Sequence, residues 1–202
     1  MRRSSFPPKA VVFDADGVLQ RRRPGFVRGL LRLGGVGFTI DCLRAEVATL
    51  TDQHDLVEAL DEVVARHGVA TTGEEVMRRW LHIEVDSGAL DIVRKLRRQG
   101  VTVALGTNQQ SYRGDHMRDV VGYSDEFDAS FYSHQLRLAK PDRAYFRAVA
   151  DGLGLDPPEI LFIDDLPSNV RGARSIGMRA ELHLWVTRAR GLRRILRRHG
   201  LG

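Results

Sequence analysis

The sequence predicts an α/β fold in which a parallel sheet is flanked by helices. Short, mostly apolar runs at 10–13, 101–105 and 159–163 have the length and hydrophobicity of buried parallel strands. Segments with helical spacing of apolar residues separate these runs, and glycine or proline marks many of their ends. Because strands that alternate with helices form βαβ units, we expect one parallel sheet with right-handed crossovers.

The composition is typical of a soluble globular protein. The chain has 202 residues, of which 43% are hydrophobic and 28% charged. This length suits one domain, or a core domain with a smaller inserted one. Cys42 is the only cysteine, so no internal disulfide can form and a reducing compartment is expected. The sequence has no apolar run of the length found in a signal peptide or a membrane helix. We therefore expect a cytoplasmic protein with no membrane partner, and the oligomeric state stays open.

The positive charge is densest near the end of the chain. The net charge is +5, and the segment 188–198 contains six arginines. Leu192, Ile195 and Leu196 recur there at helical spacing, which predicts an amphipathic last helix with a solvated basic face. A nucleic-acid patch is the alternative interpretation, but the spacing favours the helix, so no nucleic-acid partner is expected. In either case this charge favours the approach of an anionic substrate.

Two carboxylates follow the first predicted strand, 10–13. Side chains two residues apart point the same way in extended backbone, so Asp14 and Asp16 can converge. Ligands bind at the carboxyl ends of strands in open α/β sheets. Two like charges at that position repel each other, and a cation or a shared proton would offset the repulsion. The alternative is a polar turn, which Asp and Gly also favour.

The segment 20–86 is predicted to be a mostly helical insertion. Residues 20–25 have the composition of a turn, and 26–38 contain four glycines, so that part of this stretch is predicted to be loop. No strand-like alternation is visible between about 39 and 85. Helices are predicted over 41–51, 55–67 and 74–85.

After this insertion, strands and helices alternate again. Further strands are predicted over 101–105, 128–133, 159–163 and 179–185. Helices are predicted over 87–99, 111–122, 140–153 and 168–176, before the basic last helix.

Residues that phosphate chemistry uses follow several of these strands. They are Asp14 and Asp16, Thr107 and Asn108, Lys140, and Asp164 and Asp165. The carboxyl ends of the strands in a doubly wound sheet lie along one edge, so these side chains can meet.

This pattern resembles the haloacid dehalogenase-like (HAD) superfamily. The four blocks of the resemblance, in order, are 13–18, Thr107-Asn108, Lys140-Pro141-Asp142, and Asp164-Asp165 through Asn169 to Gly177-Met178. The fourth block has the form Asp-Asp-x-x-x-Asn, which one subfamily uses. The resemblance implies a Rossmann-like core formed by 1–19 and 87–202, with 20–86 as a helical cap domain inserted after the first strand.

The resemblance also implies roles for individual residues. Asp14 is similar to the family's nucleophile, which attacks a phosphoryl group and forms an aspartyl-phosphate. Asp16 is similar to the general acid and base, so its pKa is expected to lie above that of a free aspartate in at least one state. Thr107 and Asn108 resemble the phosphate-binding motif, and Lys140 resembles the cation that stabilises the transferring group.

A magnesium ion is implied in the same way. In the family the ion is held by the side chain of the first Asp, the backbone carbonyl of the second and an acid of the fourth motif. These correspond here to Asp14, Asp16 and Asp165. Asp164 is expected to bind through water or to orient the ligands.

Each of these residues also has a structural interpretation. Asn108 could cap a helix or form a turn, Lys140 could be a surface residue, and Asp164-Asp165 could cap the helix near 168. Asn169 could hold the Asp164-Asp165 loop or touch the substrate. Histidine, tryptophan and arginine side chains in the insertion are expected to pack or to be solvated; they are His54, His67, Trp80, His82, Arg21, Arg22 and Arg23. Cys42 is expected to be inert.

The resemblance supports a magnesium-dependent phosphatase that acts on a small phosphorylated metabolite. A phosphomutase of the same family is the alternative enzyme, because it shares all four motifs. A true dehalogenase fits less well, since that chemistry lacks the second Asp and needs no metal. A non-catalytic or nucleic-acid-binding protein on this fold is the alternative from another class. The blocks do not identify the substrate.

Overall fold

A computed structural model of the chain describes residues 6–51 and 54–202. Its centre is a parallel sheet of five strands, which are β1 (Ala10–Phe13), β4 (Thr102–Thr107), β5 (Ala129–Tyr132), β6 (Ile160–Asp164) and β7 (Arg179–Leu182). Their order in the sheet is β5-β4-β1-β6-β7. The predicted α/β class and Rossmann-like parallel sheet are confirmed. Residues 1–5, which the prediction assigns to the core, lie outside the described residues.

Both faces of the sheet are buried at its central strands, which explains why β1 and β6 are mostly apolar. In the central strand β1, Val11 and Phe13 contribute to one hydrophobic cluster and Val12 to another, as the alternation of side chains in a strand requires. Helices cover both faces. The first cluster includes residues of α4 (Ser87–Arg98) and α10 (Arg188–Arg198), and the second includes residues of α8 (Arg143–Leu153) and α9 (Pro167–Ser175).

The remaining helices of the sheet region are short. They are α5 (Ser111–Asp115), which continues as a π-helical turn over His116–Val120, α6 (Tyr123–Glu126) and α7 (Ser133–Leu136). The basic last helix α10 is amphipathic as predicted, because Leu192, Ile195 and Leu196 are its buried residues. No helix in the described ranges combines the length and the hydrophobicity needed to cross a membrane.

The segment 20–86 has a hydrophobic cluster of its own. It contains β2 (Gln20–Arg22), α1 (Phe26–Ala48), α2 (Leu56–His67), α3 (Gly73–Met77) and β3 (Ile83–Val85). Leu30, Phe38 and Cys42 of α1 pack in this cluster with residues of α2 and with the fully buried Trp80.

Three sequence predictions are wrong in this segment. Residues 26–38 are helical rather than loop, with a break at Gly35, whose φ is 78°. Packing in the shared cluster outweighs the poor helix propensity of the four glycines. The turn predicted over 20–25 contains the strand β2, which pairs antiparallel with β3. The helix predicted over 74–85 is instead α3, a 3₁₀ turn at Arg78–Leu81 and β3. Strands of three residues are too short to produce a visible alternation.

Candidate active site

The strand ends place three acidic side chains and one lysine next to each other. Strands β4, β1 and β6 are neighbours in the sheet, and Asp14 follows β1 directly while Asp164 ends β6. The Asp14 amide donates to the Ile163 carbonyl at 2.9 Å, so β1 and β6 remain aligned up to the two aspartates. We call Asp14, Lys140, Asp164 and Asp165 the core-side cluster.

Lys140 links two of these carboxylates. Its Nζ lies 2.8 Å from Asp14 Oδ1 and 2.7 Å from Asp164 Oδ2, and it donates to the Gly106 carbonyl at 2.9 Å. Its side chain is only 1% exposed, which excludes the interpretation as a surface lysine. An ammonium group buried between two carboxylates stays charged, because each negative carboxylate favours the protonated form of the lysine.

Asp164 is held on both oxygens by protein donors. The Asn169 amide donates to Oδ1 at 3.0 Å and to Oδ2 at 3.1 Å, and the Leu166 amide donates to Oδ1 at 2.8 Å. Of the two interpretations of Asn169, the structure therefore shows the one in which it holds the Asp164-Asp165 loop. Leu166 precedes α9, so Asp164 also orders the chain that enters this helix.

The acidic residues of the cluster fit a divalent cation. One carboxylate oxygen from each of Asp14, Asp164 and Asp165 lies within 4.8 Å of the others. Oxygen-only donor sets of this kind are those that Mg²⁺ prefers. Within the described ranges, no hydrogen bond joins the Asp165 side chain to another residue, whereas both oxygens of Asp164 are engaged. The available ligand atoms are therefore those of Asp14 and Asp165.

The crowding of carboxylates changes their pKa values. Burial raises the pKa of Asp14, the Lys140 charge opposes this rise, and the Asp164 charge adds to it. Burial and the Asp164 charge raise the pKa of Asp165 to about 6. The single positive charge of Lys140 therefore does not balance the negative charges that Asp14, Asp164 and Asp165 would carry if all three were ionised. A divalent cation at this site would favour their ionised forms.

Gly17 brings the first and fourth motifs into contact. Its φ is +79°, a conformation that favours glycine, and a Cβ at this position would lie 2.0 Å from Asp165 Oδ2. A side chain at position 17 would therefore displace the Asp165 carboxylate.

The Asp16 carboxylate belongs to a different set of side chains. Arg113 Nη2 donates to its Oδ1 at 2.8 Å, and Arg113 Nη1 binds its Oδ2. Gln109 Nε2 also donates to Oδ2, at 2.9 Å, and Gln20 Nε2 donates to Oδ1 at 3.3 Å. We call Asp16, Gln20, Gln109 and Arg113 the Arg113 cluster. The side chain of Asp16 is not among the clustered oxygens, which leaves its backbone carbonyl as the metal ligand that the resemblance implies.

The expected rise in the pKa of Asp16 is not met in this conformation. Partial burial by itself would raise this pKa, but the Arg113 charge and its hydrogen bonds, together with the Gln109 bond, lower it below the usual range. Asp16 is therefore a carboxylate here, ready to accept a proton. Sequence reasoning missed Arg113, because an arginine within a predicted helix is unremarkable until its partner is known.

Thr107 and Asn108 lie at the end of β4, as predicted. Both atoms of the Asn108 amide bind the Lys140 backbone, since Nδ2 donates to its carbonyl and Oδ1 accepts from its N–H, each at 2.9 Å. The buried Thr107 hydroxyl accepts from Gln109 Nε2 at 3.2 Å. Asn108 thus holds the lysine loop in register with β4.

The other side chains considered have structural surroundings. Burial raises the pKa of Cys42 to about 11, which fits an inert thiol. Trp80 is fully buried against Phe26, His67 binds Asp41, and His54 and His82 are exposed. Of the three consecutive arginines, Arg21 binds Glu84, Arg22 binds Glu46, and Arg23 is exposed.

Comparison with known proteins places the chain in a family. The model of the haloacid dehalogenase-like hydrolase family matches residues 8–177. A phosphatase of Mycobacterium tuberculosis is 29% identical over 192 residues, which cover 86% of this chain and 86% of the relative. A phosphoglycolate phosphatase of Rhodospirillum rubrum is 25% identical over 188 residues, covering 85% of this chain and 77% of that protein. Among solved structures, the magnesium complex of a HAD family enzyme from Bacteroides thetaiotaomicron matches this chain with a TM-score of 0.77 and 21% sequence identity. The match covers 88% of this chain and 94% of the Bacteroides enzyme chain.

The matched region contains the strand ends that carry Asp14, Lys140 and Asp164. A family match over residues 8–177 spans most of the chain and agrees with the sheet order and with the carboxylate group at its edge. The chain belongs to the haloacid dehalogenase-like hydrolase family.

Proposed function

We propose that this protein is a magnesium-dependent phosphatase that hydrolyses a small phosphorylated metabolite through an aspartyl-phosphate. The observation that carries the proposal is the core-side cluster, in which Asp14 lies against the Lys140 ammonium and beside the carboxylates of Asp164 and Asp165. This arrangement combines a nucleophile, a fixed positive charge and oxygen ligands for a cation within one edge of the sheet.

Asp14 is the proposed nucleophile. Its carboxylate is held by Lys140 and by the Ala15 amide, which donates to Oδ1 at 2.7 Å. The attack forms a bond between an Asp14 carboxylate oxygen and phosphorus as the ester P–O bond breaks. Asp16 enters this step in its protonated form, having taken up one proton when the ester binds, and gives this proton to the leaving oxygen. Asp16 then removes a proton from the water that cleaves the acyl phosphate, which releases inorganic phosphate and restores Asp14.

The charges around Asp14 support this chemistry. Asp14 and Asp165 are the proposed side-chain ligands of Mg²⁺, with the Asp16 backbone carbonyl, while Asn169 and Lys140 hold Asp164 behind them. When bound, Mg²⁺ supplies the positive charge that reduces repulsion between the carboxylate nucleophile and the anionic phosphoryl group. Lys140 contributes a second positive charge on the Asp14 side. Thr107 and Asn108, at the end of β4, are the proposed phosphate-binding motif.

The relatives support the reaction class. The M. tuberculosis relative is named a phosphatase and the R. rubrum relative a phosphoglycolate phosphatase, so hydrolysis of a small phosphate ester is the activity we propose for this chain. We also propose that 20–86 is the cap domain, because these residues form a separate hydrophobic cluster joined to the core through the paired strands β2 and β3. The presence of Asp16 and of the carboxylate cluster disfavours a dehalogenase.

The proposal is tested by a screen of phosphorylated metabolites. The purified protein is incubated with each ester and Mg²⁺, and inorganic phosphate is measured together with any isomeric ester. We expect phosphate release from a subset of the esters and none in the presence of a chelator. Isomer formation would instead identify a phosphomutase. Binding of duplex DNA that weakens with salt, with hydrolysis of no ester, would contradict an enzymatic function.

A further inference from the structure

Arg113 is a charged residue with no exposed surface, and its guanidinium bonds in two directions. Toward the active site, Nη1 and Nη2 bind the two oxygens of Asp16. Toward the segment 20–86, Nε donates to the carbonyl of Trp80 at 2.8 Å. Arg113 thus connects the second aspartate of the first motif with the 3₁₀ turn that precedes β3.

Neighbouring residues make parallel connections to the same segment. The Tyr112 hydroxyl donates to Asp55 Oδ2 at 2.9 Å, and the Ser133 hydroxyl donates to the Leu50 carbonyl at 2.6 Å. Ser133 Oγ also accepts from the Gln109 amide at 2.9 Å. The chain around 109–113 therefore contacts Asp16 on one side and the segment 20–86 on the other.

The geometry of arginine makes this double contact specific. A planar guanidinium presents a fork of two N–H groups to a carboxylate while Nε–H points to a third acceptor. A lysine ammonium is a point charge on a flexible stem and cannot fix the plane of a carboxylate in this way. The third acceptor is itself held in place, because the Trp80 ring is fully buried and packs edge-on against Phe26 with centroids 4.8 Å apart.

We propose that Arg113 is a positioning residue that couples the docking of the segment 20–86 to the orientation of the Asp16 carboxylate. The inference rests on the proposed function, in which Asp16 transfers a proton to the leaving oxygen. When the segment is docked, the Trp80 carbonyl fixes the guanidinium, and the guanidinium fixes Asp16. When the segment moves away, the Nε contact is lost and Asp16 is held less firmly.

The activity test depends on the leaving group. Proton transfer from Asp16 matters for an alkyl ester such as glycerol 3-phosphate, whose alkoxide is a poor leaving group, and matters little for p-nitrophenyl phosphate. Because Asp16 also activates water in the second step with either ester, the first step is followed alone, as single-turnover release of the alcohol or of p-nitrophenol. We expect Arg113→Lys to lower this rate about 10²-fold on the alkyl ester, with less than about 3-fold loss on the aryl ester. Asp16→Asn should show the same selectivity, and the double variant should be no slower than Asp16→Asn alone, because both act through one group.

Arg118→Lys is the matched control. Arg118 is also an arginine of this region, but it is partly exposed and pairs with Asp115 and Asp119. This variant should retain wild-type rates on both esters. An equal loss on the two esters in Arg113→Lys, or losses that multiply in the double variant, would overturn the inference.

A second measurement does not depend on catalysis. Hydrogen exchange is followed in peptides covering 78–83, in the wild type and in the three single variants. Arg113→Lys and Asp16→Asn should both increase exchange there, since Asp16 anchors the guanidinium that binds the Trp80 carbonyl, whereas Arg118→Lys should not. Unchanged exchange in Asp16→Asn would overturn the coupling. If the wild type hydrolyses no ester of the metabolite screen, the proposed function fails, and the exchange result still decides the coupling.

Discussion

The core-side cluster and the Arg113 cluster contain aspartates only two residues apart, yet they shift the pKa values of these aspartates in opposite directions. Asp14 is buried with Lys140 and two further carboxylates, and its pKa is raised. Asp16 faces Arg113, and its pKa is lowered. Asp14 is bound by Lys140 of the sheet region, whereas Arg113, one of the partners of Asp16, is bonded to the segment 20–86. The comparison teaches that the environment, and not the residue type, separates the proposed nucleophile from the proposed proton-transfer group.

The strongest test of this contrast is Asp14→Asn. Because an amide cannot form the acyl phosphate, we expect kcat to fall by at least about 10³-fold on alkyl and aryl phosphates alike. Asp16→Asn, by comparison, should spare the first-turnover release of p-nitrophenol from the aryl ester. Phosphate release measures the turnover of Asp14→Asn, p-nitrophenol release measures the first turnover of both variants, and circular dichroism checks that both are folded. Appreciable turnover of either ester by Asp14→Asn would refute its role as nucleophile.

Lys140→Met should affect stability as well as activity. The substitution keeps an unbranched side chain, shorter by one heavy atom, but leaves Asp14 and Asp164 buried without their shared cation. Removing one partner of a buried ion pair costs about 3–5 kcal/mol in the free energy of unfolding, which urea denaturation would measure.

Lys95→Met is the matched control for this variant. Lys95 is an exposed lysine of α4, and its substitution should change stability by less than about 0.5 kcal/mol. A stability change in Lys140→Met as small as that of the control would show that Lys140 is not needed to stabilise the core-side cluster.

Magnesium should stabilise the core-side cluster through Asp165. At a concentration 100 times its dissociation constant, a ligand that binds only the folded state adds about 2.7 kcal/mol to the unfolding free energy. Thermal melts with and without Mg²⁺ should show this stabilisation in the wild type and in Asp151→Asn, an exposed aspartate of α8. The Asp165→Asn variant should lose most of it. A Mg²⁺-induced shift that survives Asp165→Asn would remove this residue from the proposed metal site.

The sheet and the segment 20–86 also differ in how well they could be predicted. Strands such as β1 and β6 are buried on both faces, so their sequences are short apolar runs that are easily recognised. In the segment 20–86, α1 continues through glycine-rich sequence because Leu30 and Phe38 pack in a shared cluster. The strands β2 and β3 exist because they pair with each other, which no local pattern reveals.

Residue order along the chain is sufficient to predict the parallel α/β fold and the acidic and basic residues at the strand ends. It identifies Asp14, Asp16, Lys140 and Asp165, since each follows a recognisable strand or belongs to a motif block. Only the folded chain shows that Arg113 binds Asp16, and that Asn169 and Asn108 hold Asp164 and Lys140. The reason is physical: hydrophobic periodicity is local and can be read from neighbours in sequence, whereas the ionisation of a buried group depends on partners brought together by tertiary packing.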